Sequence, residues 1–155
     1  MNAAEILGFA NLFLAGILAG EEFVIRFGVR GPIASLDQEP HIRVRQAVIR
    51  SLRVVVPTIY FATLLSGIAV IIPGGFGLAF GFRLAAILAL LVWILVTLGG
   101  TVPINSAALG WDPTAPPANW RTMVSRWERL DTVRAWAAML AFALLVIAMA
   151  LAVGD

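Results

Sequence analysis

Residues 6–27 read ILGFANLFLAGILAGEEFVIRF, an apolar run broken only by Asn11, the adjacent carboxylates Glu21 and Glu22, and Arg26. At a rise of 1.5 Å per residue, Glu21 stands roughly 22 Å along a helix begun at Ile6, inside a hydrocarbon layer of about 30 Å. An ionised carboxylate at membrane depth is costly, so such a group normally faces a bundle interior, a partner or a water-filled cavity. The run therefore reads as a membrane-spanning helix with a functional position built into it.

Three more apolar segments follow, and the composition agrees with them: 61% of the 155 residues are hydrophobic and 13% are charged. Soluble domains carry charge on about a quarter of their residues. The expected fold is all-α, an integral membrane four-helix bundle forming one domain over residues 1–155, with spans at about 3–27, 54–72, 81–102 and 135–153. The start, Met1-Asn2-Ala3-Ala4-Glu5, lacks the basic region of a signal peptide, so the first run is expected to be retained. The sequence pI of about 10.4 is not a nucleic-acid signature. Every basic residue is Arg, and most flank the apolar segments without forming a tail, a topology signal that makes the lipid bilayer the expected partner. Ten of the eleven Arg residues lie at the end shared by the first and third loops, and only Arg83 lies at the other. That bias predicts a multi-pass inner (plasma) membrane protein with the Arg-rich end cytoplasmic and both termini outside. With no Cys in the chain, disulfides, thiolate metal sites and Cys nucleophiles are excluded.

The first helix is expected to end near Phe27, at the breaker Gly28-Val29-Arg30-Gly31-Pro32. On it Asn11, Ala15, Leu18 and Glu22 share one face, with Arg26 one turn beyond as an i,i+4 partner for Glu22. Glu21 lies about 100° away and needs a donor from another helix. The second helix begins near His41, is amphipathic through Arg43, Arg45, Arg50 and Arg53, and crosses from Val54 to Ile72; Pro57 predicts a kink that opens a small polar pocket near the depth of Glu21. After the turn Pro73–Gly77, the third helix carries a semi-polar stripe, Trp93, Thr97, Thr101 and Asn105. Gly99-Gly100 permits a close helix approach, and Pro103 marks a bend or break. A rigid loop from Gly110 to Ala118 leads to a fourth helix, amphipathic from about Asn119 to Arg134 and apolar thereafter. The second and fourth helices are thus expected to extend the bundle as Arg-rich amphipathic segments on the cytoplasmic side. The two halves share this order of features, as a parallel repeat would.

Depth sorts the polar residues. Taking Arg53, Arg134 and Val102 as the boundary, Glu21 lies about 8 Å below it, and Asn105 and Asp131 lie roughly 5 Å above it. Snorkelling Arg side chains bridge such gaps. The candidate cluster at the cytoplasmic mouth is Glu21, Glu22, Arg53, Asn105, Asp131 and Arg134, with Trp127 as an aromatic lid above Asp131 and Arg134 and with Thr101 on the stripe leading to it. One reading is a small-molecule pocket in which a carboxylate acts as general base while Arg and Asn stabilise an oxyanion. The bland alternative is that Glu21 pairs with Arg53 or Arg134 and only fixes helix register. A third reading places a metal on Glu21, Glu22 and His41, although a straight second helix sets His41 about 18 Å beyond Arg53. The five Trp residues are assigned by default to the interfacial belt. Tyr60 is assigned to helix packing.

From Gly99 onward the segments Thr101-Val102-Pro103-Ile104-Asn105, Trp120 and Arg126-Trp127-Glu128-Arg129-Leu130-Asp131-Thr132-Val133-Arg134 resemble the anthrone-oxygenase-like family of small four-helix membrane proteins. The motifs are Pro-x-Asn after the third helix and Arg-Trp-x-x-Leu-x-x-x-Arg before the fourth. The resemblance implies a helical bundle that oxidises a polyketide anthrone to an anthraquinone with dioxygen, without metal or flavin, and it places Asn105, Trp127 and Arg134 at the matching positions. Many relatives carry His where this chain has Asp131, and an apolar or aromatic pair in place of Glu21-Glu22. The resulting expectation is a membrane oxidoreductase acting on a small hydrophobic, aromatic or polyketide-like substrate. In it Glu21 or Asp131 removes a proton, Arg134 and Arg53 act at the resulting anion, and Glu22, Asn105, Trp127 and Thr101 bind substrate; no cofactor is required. The alternatives are a non-catalytic assembly or lipid-binding subunit, whose Arg-rich surfaces contact anionic headgroups, and the metal-dependent enzyme. A homo-oligomer is compatible with either class.

Overall fold

The computed structural model describes residues 3–71 and 76–154, and all four of its long helices are long and apolar enough to cross a membrane. They are α1 (Ala3–Ala34), α2 (Gln38–Ile71), α3 (Leu78–Leu109) and α4 (Trp120–Gly154). The chain is an all-α, multi-pass four-helix bundle. Each helix packs on its two neighbours in a ring, most extensively between α3 and α4 and most sparsely between α2 and α3. Ile72 and the turn residues Pro73, Gly74 and Gly75 lie outside the described residues.

Two of the expected helix ends are corrected. The breaker after Phe27 does not stop α1, and Pro103 does not stop α3. Each helix instead widens into a π turn, at Val24–Val29 and Thr97–Thr101, and then resumes as α-helix over Arg30–Ala34 and Val102–Leu109. Proline lacks the N–H for the bond to residue i−4 and its ring crowds that carbonyl. A wide turn ahead of Pro32 and Pro103 absorbs the misfit and leaves the helix continuous. Pro57 has no such turn beside it, and α2 runs unbroken through it.

The interior follows the expected faces. Asn11, Ala15, Leu18 and Glu22 are all buried, so that stripe of α1 points into the bundle. Around Trp93 and Tyr60 the core is built largely from small residues, Ala86 and Ala89 on α3 and Ala137, Ala138 and Ala141 on α4, which let backbones approach closely. A second cluster, Ile42, Ala108, Trp111, Trp120 and Val124, closes the Arg-rich end. The interfacial assignment of the Trp residues is therefore corrected for Trp93, Trp111 and Trp120, which are buried, while Trp136 is exposed. Large apolar side chains such as Phe13, Leu65, Leu95 and Leu140 face outward on all four helices, as a lipid-facing surface requires.

Two buried amides pair helices with one another. The Asn11 Nδ2 donates to the Thr63 carbonyl at 2.7 Å and to the Ser66 Oγ at 2.8 Å, tying α1 to α2 beside Gly67. The Gln46 Nε2 donates to the carbonyls of Ala108 and Trp111, both at 2.9 Å, anchoring the start of α2 to the end of α3. In the α3–α4 loop, Asp112 accepts from both the backbone N–H and the hydroxyl of Thr114, and these bonds hold its carboxyl below its ordinary value.

Of the two glycines expected to permit close approach, only Gly100 does so. A Cβ there would stand 2.6 Å from the Leu130 Cδ1 of α4, whereas at Gly99 it would meet open space. Gly100→Val should therefore overpack the α3–α4 contact, costing about 1–3 kcal/mol. Gly99→Ala should gain up to about 1 kcal/mol through helix propensity. Thermal unfolding in maltoside micelles checks both, with Gly99→Ala melting above and Gly100→Val below the wild type.

Candidate functional site

The sparse packing between α2 and α3 leaves a cavity of about 340 Å³. All four helices contribute to its wall: Glu21 and Glu22 from α1, Arg53 and Pro57 from α2, Trp93, Thr97, Thr101 and Asn105 from α3, and Trp127, Asp131 and Arg134 from α4. The eight residues that spacing and depth nominated, Glu21, Glu22, Arg53, Thr101, Asn105, Trp127, Asp131 and Arg134, all line this one space. The volume is in the range of small-molecule pockets.

One wall is a buried ion pair. Glu22 is 1% exposed, and its Oε1 accepts from the Arg134 Nη2 at 2.5 Å and from the Trp93 Nε1 at 2.7 Å. The Arg134 guanidinium lies 4.5 Å over the Trp93 ring and donates through Nη1 to the Thr101 Oγ1 at 3.4 Å. The Trp93 ring in turn stacks on Tyr60 at 4.6 Å, and the Tyr60 hydroxyl donates to the Leu90 carbonyl at 3.1 Å. The stripe on α3 is tied internally as well, the Thr97 and Thr101 hydroxyls donating to carbonyls one turn back.

The expected roles of the two carboxylates are reversed. Glu22 was expected to be answered by Arg26 on its own helix; it is answered by Arg134 on α4 instead. The π turn beginning at Val24 intervenes between the two residues and changes their register, and the Arg26 Nε is left buried without a partner. Glu21 was expected to draw Arg53 or Arg134. Among the described residues it enters no ion pair, and its Oε2 is buried and unpartnered. Arg53 lines the cavity from an exposed position. Around the same cavity the Asp131 Oδ2, the Asn105 Oδ1, the Trp127 Nε1 and the Arg134 Nε are also buried and unpartnered. A polar group taken from water without a partner is costly, so such a group marks a position where a ligand or water completes the structure.

Trp127 is half-buried above this space, with the Arg45 guanidinium 4.4 Å from its ring centre. His41 is placed elsewhere. It sits edge-on to Trp120 at 5.3 Å and lines a second, smaller and adjoining cavity to which neither Glu21 nor Glu22 contributes. The expected grouping of His41 with those carboxylates is therefore not formed, and among the described residues no three His, Cys, Asp or Glu side chains come together as a metal site.

Sequence reasoning missed Trp93 and Arg45. Trp93 lies about 13 Å before Val102 along α3, too deep for the interfacial belt, and that depth was the available signal. Arg45 carried no mark distinguishing it from Arg43 and Arg50 except a helical spacing that turns it inward.

Breaking the ion pair should be costlier than removing it. Arg134→Met strands the Glu22 carboxylate and should destabilise by about 3–5 kcal/mol, while the double variant Glu22→Met/Arg134→Met should recover most of that loss. Thermal unfolding of the two variants in one detergent measures the difference.

A family model described as anthrone oxygenase matches residues 46–144. No curated protein and no solved structure matches the chain.

Proposed function

The chain belongs to the anthrone oxygenase family, and from that premise we propose that it is a membrane oxygenase acting on a small aromatic, enolisable substrate in the cavity between α2 and α3. The observation that carries this reading is the pair of unpartnered carboxylate oxygens, Glu21 Oε2 and Asp131 Oδ2, at one cavity of about 340 Å³. Glu22 and Arg134 neutralise one another, so Glu21 and Asp131 are the carboxylates free to accept a proton.

In the proposed reaction Glu21 takes a proton from the methylene carbon of an anthrone, with Asp131 as the second acceptor. The negative charge spreads onto the substrate's carbonyl oxygen, stabilised by the unpartnered Nε–H of Arg134, by Arg53 at the rim and by Asn105. Dioxygen is the oxidant: the carbanion gives up an electron pair, a C–O bond forms, and the resulting peroxide anion takes back the proton held by Glu21 to give a hydroperoxide. Loss of water then leaves a second ketone, so the methylene compound and dioxygen become a quinone and water. Trp127 and Thr101 pack against the ring system. No metal or flavin enters this scheme.

The same reading sets the chain in the inner membrane as one transmembrane unit. The Arg-rich ends of α2 and α4 form amphipathic extensions at the cytoplasmic surface, and both termini lie outside. Because the chain has no Cys, a single Cys introduced at Ser35 or Thr114 reports topology directly. Membrane-impermeant maleimide should label either one only from the cytoplasmic side.

Oxygen uptake with an anthrone in maltoside micelles tests the activity. Uptake above that of empty micelles, with one quinone formed per dioxygen consumed, is expected. Glu21→Gln should reduce the rate by about 10²-fold or more, the usual contribution of a general base. Uptake equal to that of empty micelles would favour the non-catalytic, lipid-binding alternative.

A further inference from the structure

A second cavity, of about 50 Å³, lies toward the Arg-rich end and is lined by Arg30, His41, Arg45, Asn105, Trp127 and Glu128 together with Ile25, Val29, Ile33, Val48 and Ile49. Arg45 is the unusual member. It is only 8% exposed, forms none of the ion pairs among the described residues, and leaves both Nε and Nη2 buried without a partner. Its guanidinium carbon stands over the Trp127 ring, 4.4 Å from the ring centre, while Nε and Nη2 remain without a hydrogen-bond partner.

Nε and Nη2 form the side edge of a guanidinium, two parallel N–H donors spaced to meet both oxygens of one carboxylate. Two further buried nitrogens on the same wall lack partners, the Trp127 Nε1, a donor only, and the His41 Nε2. The one carboxylate in the wall, Glu128, is already held by the Arg30 Nη2 at 2.8 Å. A cavity of this size takes roughly three or four water-sized groups, which matches the three heavy atoms of a carboxylate. The geometry points to a carboxylate-binding site, with Arg45 as the bidentate donor and the Trp127 indole N–H completing the shell.

The carboxylate has two sources. The small cavity shares Ile25, Val48, Ile49, Asn105 and Trp127 with the large one, so a ring system in the large cavity can extend a carboxylate substituent into the small one. A free carboxylate, such as formate, also fits. Neither source depends on oxygenase activity, because the site is defined by binding alone.

The test is equilibrium binding to the purified full chain in a non-ionic maltoside, using anthracene-2-carboxylate, its neutral parent anthracene, and formate. If a substituent occupies the site, anthracene-2-carboxylate binds about tenfold or more tightly than anthracene. Arg45→Gln then abolishes that preference while leaving anthracene binding unchanged. If a free anion occupies it, formate binds saturably and Arg45→Gln removes that binding. Trp127→Phe, which keeps an aromatic ring under Arg45 and removes the N–H, weakens carboxylate binding by a smaller factor and guards against a folding defect in the Arg45 variant. Equal affinity for the acid and its neutral parent together with no saturable formate binding would overturn the proposal, as would a carboxylate preference that survives in folded Arg45→Gln.

Discussion

The contact between Glu22 and Arg134 constrains the rest of the structure. A charge buried among apolar helices is tolerated only when its partner and remaining hydrogen bonds are in place. Here the carboxylate comes from α1, the guanidinium from α4 and a second donor, the Trp93 indole, from α3. Three helices are thereby held in one rotation and one axial register. With Trp93 fixed, Tyr60 on α2 stacks against it, and the fourth helix joins the same assembly. A non-polar core of Ala and Leu would let such helices slide, whereas a mispaired Glu22 would not.

That pair also divides the labour among the polar residues. It consumes one carboxylate and most of one guanidinium, and it forms a wall against which the ionisable groups without partners stand out. Glu21 is adjacent in sequence to Glu22 but about 100° around the helix, and this turn alone separates a sealed structural carboxylate from one that faces a cavity. The cavity itself lies where packing is thinnest, between α2 and α3, while the small residues of α3 and α4 close the adjoining side of the ring.

Much of this was legible in the sequence. Nineteen-residue apolar runs gave the second and fourth spans, helical spacing gave the buried face of α1, and depth along each helix gathered the eight residues that line one cavity. Pairing was less legible. An i,i+4 rule assigned Arg26 to Glu22, but that rule presumes an unbroken α-helix, and a π turn begins two residues after Glu22. Trp93 was assigned by composition to the interface although its depth placed it in the core. Arg45 could not be told from its exposed neighbours, because whether an Arg on an amphipathic stretch turns inward depends on what the opposite helix presents. Here that is the ring of Trp127, more than eighty residues away in the chain.

The two π turns carry a consequence of their own. A π turn is an α-helix with one residue inserted, so every side chain beyond it is rotated by about 100° from where an uninterrupted helix would aim it. Arg30 and Asn105, which both reach the smaller cavity, lie just past the two turns. The chemistry at the Arg-rich end is therefore encoded partly by a length: deleting a single residue from either turn would leave every amino-acid type there unaltered and point a different set of them inward.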